Sequence, residues 1–262
     1  MNSIRLSFAA LLIIFLVACQ PQSSETSESQ STEEDTPVVG SKDTSDSVAA
    51  GPDSTKETAI QAGEDYHSYA NSDKAVLKHI SLDWTVDFDR KVIDGSAEMT
   101  FEKLDASASK LILDTRDLTI HRVESNGESV PFELGEADPH LGAPLSIDIP
   151  DSVDTVTVFY TTSPSASGLQ WLTPEQTSSG KHPFLFSQAQ AIHARSFIPL
   201  QDSPKVRVTY DAVVRTPAEL LAVMSASNEP NAERDGEYQF SMPQPIPSYF
   251  CLLYTSPSPR DA

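Results

Sequence analysis

Cys19 and Cys251 are the only two cysteines among 262 residues. A chain so poor in thiols has no disulfide framework to fold around. Basic residues are scarce too: 18 Lys and Arg stand against 38 Asp and Glu, a formal charge of −20. No basic run interrupts that acidity, which excludes nucleic acid as a partner, because phosphate binding needs clustered Lys and Arg. Long apolar runs are also missing. The continuous stretch from Phe8 to Val17 is too short to cross a bilayer. No amphipathic helical stripe exceeds two turns. The six histidines (His67, His79, His121, His140, His182 and His193) are scattered, and none stands at metal-ligand spacing from another.

What is present begins with Arg5, the apolar run and Leu16-Val17-Ala18-Cys19. Residues 1–18 read as a signal peptide. The Leu-Val-Ala-Cys ending resembles a bacterial lipobox, which makes Cys19 the acylated mature N-terminus. Gln20 after the cysteine favours an outer-membrane lipoprotein facing the periplasm. Residues 19–65 carry no aromatic residue and no apolar period until their end. Residues 20–65 hold eleven acids against Lys42 and Lys56. Such a segment buries too little to offset its ordering entropy and is expected to be a disordered, self-repelling tether.

From Lys78 the texture changes. In "HISLDWTVDF" the residues Ile80, Leu82, Trp84, Val86 and Phe88 alternate with polar ones, the mark of a half-buried strand. "DRKVIDG" reads as a turn, and Ala97, Met99 and Phe101 then resume the alternation. Short strands follow at 110–114, 118–125, 130–134, 145–150, 155–162 and 205–215, with "GLQWL", "PFLF", "LLAVMSA" and "YQFSM" among and after them. The expected fold is all-β: a saddle-like antiparallel β-sandwich or sheet domain over residues 66–250. Trp84 and Trp171 read as core residues.

One stretch does not fit a plain β domain. "LFSQAQAIHARSFIPLQDSP", residues 185–204, concentrates Gln188, Gln190, His193, Arg195 and Asp202. It pairs no nucleophile with a base. His193 reads as a structural hydrogen-bonding residue, and Arg195 with Asp202 as an ion pair holding the loop.

The strings "GLQWL", "FSQAQAIHAR", "IPLQDSP" and "YQFSMPQPIPSYF", in that order, resemble the N-terminal β-domain of zinc aminopeptidases of the aminopeptidase N superfamily, in its leukotriene hydrolase/aminopeptidase branch. The resemblance covers roughly residues 75–250. It implies a β domain lying over a catalytic domain of the same chain, with Gln188, Ala189, Gln190 and Ala191 binding the N-terminal residue of a peptide substrate. A glutamine amide oxygen supplies a directed acceptor for a free ammonium without adding a buried charge; Gln190 is the first choice and Gln188 its support. The family's zinc motif, His-Glu-x-x-His, has no counterpart here, since no His-Glu pair occurs in the sequence. Zinc is therefore expected in a full-length parent and not in this chain, which alone is expected to be inactive. The alternative is a stand-alone β-rich binding or scaffold lipoprotein without enzymatic activity. Residues 251–262, "CLLYTSPSPRDA", resemble read-through of a sequencing adapter, so the chain reads as the front of a truncated gene model. A polar tail is then expected where the family continues a buried strand.

Overall fold

The alternation at His79–Phe88 sits in the middle of the largest sheet of the computed structural model, which describes residues 65–229 and 235–256. The signal peptide, Cys19 and all of the 19–65 linker but Asp65 lie outside the described residues, as do 257–262. In chain order the strands begin with β1 (Ala75–Asp87), β2 (Val92–Lys103), β3 (Lys110–Thr115), β4 (Thr119–Ser125) and β5 (Glu128–Ser129). Next come β6 (Phe132–Leu134), β7 (Ala143–Asp148), β8 (Thr155–Thr161), β9 (Leu169–Leu172) and β10 (Phe184–Ser187). The last are β11 (Arg207–Arg215), β12 (Leu221–Met224), β13 (Ser227–Asn228), β14 (Glu237–Pro247) and β15 (Leu253–Ser256). Among the described residues helix is confined to three single 3-10 turns, so the fold is all-β as the sequence predicts.

Three sheets form. The first orders β13-β14-β11-β1-β2-β8-β4-β5, the second β12-β15-β10-β9, the third β3-β7-β6. One pairing departs from the antiparallel expectation. β1 and β11 run parallel, from His79 opposite Thr209 to Thr85 opposite Arg215. Parallel neighbours need a long crossover, and here the whole chain between β2 and the 185–204 stretch provides it.

The period-2 pattern is realised closely. Ile80, Leu82, Trp84 and Val86 are buried, as are Ala97, Met99 and Phe101 across the ladder. The "DRKVIDG" segment behaves differently from its turn reading. Val92 and Ile93 are buried strand residues, and Asp87 already pairs with Val92. The corner is shorter than expected because Lys91 takes a left-handed conformation (φ 55°) and Arg90 bonds back to Asp87. Gly95 lies opposite Trp84, and a Cβ there would collide with the Asp83 carbonyl oxygen.

Trp84 also links the main sheet to the 185–204 stretch. Its Nε1–H donates to the Tyr160 hydroxyl at 2.8 Å, and that hydroxyl donates to the Phe197 carbonyl at 2.9 Å. All three residues are buried, and burial pushes the Tyr160 hydroxyl far above its ordinary range. Tyr160→Phe strands the Trp84 N–H and removes the donor to Phe197. We expect a loss of about 1–3 kcal/mol, the cost of an unsatisfied buried polar group, measured as a lower denaturant midpoint at unchanged m-value.

The polar tail expected after Phe250 is not what the structure contains at 251–256. β15 lies between β12 and β10, with Leu253 opposite Met224 and Thr255 opposite Leu185. Cys251, Leu253 and Thr255 point inward and are buried, while Leu252 and Tyr254 do not. The physical reason is the alternation in Cys-Leu-Leu-Tyr-Thr, which suits a strand open on one face. Leu253 N donates to Ser187 Oγ at 2.7 Å, and Leu185 N to Thr255 Oγ1 at 3.0 Å. Burial pushes the Cys251 thiol up to about 12.

Candidate functional site

β10 ends at Ser187, and the alternation it sets carries on to Gln190. Gln188 points out, Ala189 is fully buried, and Gln190 and Ala191 are exposed. Gln188 N donates to Gly168 O at 2.9 Å, tying the loop to the residue before β9. The Gln188 amide oxygen accepts from Gln190 N at 3.2 Å, and the peptide between Gln190 and Ala191 is cis. His193 N then closes a tight turn onto Ala189 O at 2.9 Å. Ala189 is the pivot. Its small side chain fits the interior while its neighbours stay in solvent.

The loop is fixed from beneath by charge. Arg195 is completely buried, and so are Asp114 and Asp202. Arg195 Nε donates to Asp202 Oδ2 at 3.1 Å, Nη1 to Leu141 O at 2.8 Å and Nη2 to His67 O at 2.7 Å. Asp114 stands 3.7 Å from Nη1 and accepts from Ser68 Oγ, Tyr69 N and Asp202 N. Ser248 Oγ donates to Asp202 Oδ1 at 2.5 Å. The Arg195–Asp202 pair was legible in the sequence; Asp114 was not. Burial holds the Asp114 carboxyl above the usual carboxylate range, against the opposing pull of Arg195. The donors named here each reach an acceptor, within the loop at Asp202 and beyond it at Leu141, His67 and Asp114, which is the condition under which buried charges persist.

His193 has a structural environment. Its Nδ1 lies 2.8 Å from Ser167 Oγ and 3.3 Å from Arg116 Nη1. Burial, then the Arg116 charge, lower its pKa below 6.5. The unfolded chain therefore takes up the proton before the folded one does. Stability is expected to fall as pH drops from about 6.5 towards the depressed value. His193→Asn should flatten that limb in a series of melts at stepped pH.

Among the described residues no group of three or more His, Cys, Asp or Glu is placed to hold a metal ion. His79 Nε2 meets Asp211 Oδ2 at 2.7 Å and Ser81 Oγ at 3.3 Å. The other ring nitrogen, Nδ1, meets Thr209 Oγ1 at 2.7 Å, so both sides of the ring are engaged by side chains of β1 and β11. Trp171 packs edge-on against Phe88, its ring 5.4 Å away, and its N–H is buried without a partner. Trp84 is a core residue as read from the sequence, whereas Trp171 is half-buried and packs against the margin of the core.

Two concavities meet at the loop. One of about 640 Å³ is lined by Gln190–Ile192, by Asp65–His67 and by Tyr249. The second, about 350 Å³, is shared by Gln188, Gln190, Tyr249 and Tyr254. Gln190 borders both, with its amide exposed. Sequence reading pointed to Gln188–Ala191 but missed Tyr66, His67 and Tyr249, which come from the two ends of the domain and carry no local signal.

The described residues thus form an all-β domain with an exposed glutamine loop at a cavity and no metal-binding cluster. Residues 68–250 match the Peptidase M1 N-terminal domain, and the chain belongs to that family. It is 42% identical over 199 residues to leukotriene A-4 hydrolase of Xenopus laevis, covering 72% of this chain and 33% of the relative. Leucine aminopeptidase 2 of Pyricularia oryzae is 36% identical over 201 residues, covering 73% and 33%. Among solved structures, native leukotriene A4 hydrolase from Saccharomyces cerevisiae superposes with a TM-score of 0.68 at 30% identity, covering 76% of this chain and 31% of that one. An M1 zinc metallopeptidase from Deinococcus radiodurans shares the fold at 19% identity and a TM-score of 0.58, covering 72% and 44%. The chain spans about a third of the length of the curated relatives it matches. A zinc ion of the kind named for the Deinococcus protein does not fit the residues described here.

Proposed function

We propose that this chain is the substrate-lining domain of a zinc aminopeptidase that removes N-terminal residues from peptides, anchored in the bacterial envelope through a lipid on Cys19. The single observation behind the reading is the state of the glutamine loop. Gln190 is exposed at the mouth of the 640 Å³ cavity while Ala189 beside it is fully buried. An amide oxygen held on a rigid turn is a directed acceptor, and the α-ammonium of a peptide is a donor with three hydrogens. Gln190 takes that ammonium, and Gln188 holds the Gln190 backbone through its own amide. The relatives named as leucine aminopeptidases and leukotriene hydrolase agree with this role. The domain's contribution is to bind and orient. Water activation and polarisation of the scissile carbonyl belong to residues outside those described.

The genomic sequence past codon 250 tests this most cheaply. An in-frame His-Glu-x-x-His is expected, together with release of aniline from amino-acyl anilides by the full-length protein. A stop codon directly after the β domain would favour the scaffold lipoprotein instead. Lipidation has its own test. Cys19→Ala is expected to leave an uncleaved precursor or to release the protein from the outer-membrane fraction; normal processing and retention would remove the anchor from the proposal.

A further inference from the structure

The cavity beside Gln190 is lined in part by Asp65, Tyr66 and His67, the segment that leads into the β domain. We propose that this segment is a fixed strap that sets side-chain specificity, with Tyr66 contacting the N-terminal side chain of the substrate and favouring large apolar ones. The inference rests on the reading of Gln190 as the ammonium contact.

The strap is built in, not draped. His67 O accepts from the buried Arg195 at 2.7 Å, Ser68 Oγ and Tyr69 N both reach Asp114, and the Asp65 carboxylate accepts from Ser203 Oγ. The same buried guanidinium therefore holds the strap and the end of the glutamine loop. The charged groups around the cavity are engaged by the protein: Asp65 by Ser203, Asp202 by Arg195, and Lys205 by a partner of its own. What remains for a ligand is Tyr66, which is 55% exposed, and the exposed His67 ring, with Ala191, Ile192, Pro204 and Tyr249.

That surface is apolar and aromatic, and about 640 Å³ is ample for a leucyl or phenylalanyl group. Geometry supplies the occupant. The Cβ of an amino acid is two bonds from its ammonium nitrogen, so a residue whose ammonium meets Gln190 places its side chain at one of the two cavities Gln190 borders. The larger, more apolar one fits a large apolar group better. Tyr66 lines the same cavity as Gln190, its ring 4.8 Å from the His67 ring.

The test is a comparison of phenylalanyl, leucyl and alanyl anilides with full-length wild type, Tyr66→Ala, Tyr66→Phe and Gln190→Leu. Tyr66→Ala is expected to raise KM for the phenylalanyl and leucyl substrates roughly tenfold, the scale of apolar pocket discrimination, with kcat within about twofold. The alanyl substrate should be unaffected, and Tyr66→Phe should restore wild-type values. Unchanged kinetics in Tyr66→Ala alongside an impaired Gln190→Leu overturns the strap and leaves the ammonium contact standing. An equal loss on all three substrates also overturns it, since a specificity wall acts on the side chain alone. If Gln190→Leu is unaltered as well, the reading of the site fails with it.

Discussion

Gln190→Leu in the full-length enzyme is expected to lower kcat/KM on amino-acyl anilides by one to three powers of ten. A hydrogen bond to a charged group contributes about 1.5–3 kcal/mol, and a charge left facing leucine costs more. A contact made to the ammonium both before and during bond cleavage, as proposed, puts part of the loss in KM. The fold should not change, because Gln190 is exposed and its side chain supports no other residue. A thermal midpoint equal to wild type would confirm that. Kinetics equal to wild type would shift the ammonium contact to Gln188, the next exposed amide on the loop.

Arg195→Met should have the largest effect on stability. Methionine approximates the volume of the arginine stem but leaves Asp114 and Asp202 buried side by side with no counter-charge. Breaking a buried ion pair from one side costs about 3–5 kcal/mol, a large share of the roughly 5–15 kcal/mol that holds a typical domain together. His67 O and Leu141 O lose their donors in the same step. A denaturant midpoint displaced by that amount, with faster amide exchange at 65–70 and 188–196, is the expected outcome. A displacement under about 1 kcal/mol would mean that water or a backbone shift satisfies the two carboxylates, and the loop would then need another explanation for its rigidity.

The sequence made the strands easy to read and the topology hard. Ile80, Leu82, Trp84 and Val86 alternate with polar residues, and a half-buried strand allows no other arrangement. Nothing local announces that β1 lies parallel to β11, because that register joins residues about 130 positions apart through a crossover. The glutamine loop was legible as an oddity of composition, and Arg195 with Asp202 as neighbours of opposite sign. Asp114 was hidden. It follows Leu111 and Leu113 in a strand whose pattern suggests only a polar exit from the core, and its burial becomes visible once Ser68, Tyr69 and Asp202 are seen around it. The 251–256 segment was misjudged for a related reason. It was read by its resemblance to adapter read-through, while Cys251, Leu253 and Thr255 carried a strand period.

The most direct measurement is a crystal structure of the full-length enzyme with a peptide bound under conditions that block turnover. Gln190 Oε1 is expected at about 2.7–3.0 Å from the α-ammonium nitrogen, with the first side chain in the cavity lined by Ile192 and Tyr66. An ammonium held wholly by other groups, with the Gln190 amide turned to solvent, would contradict the assignment.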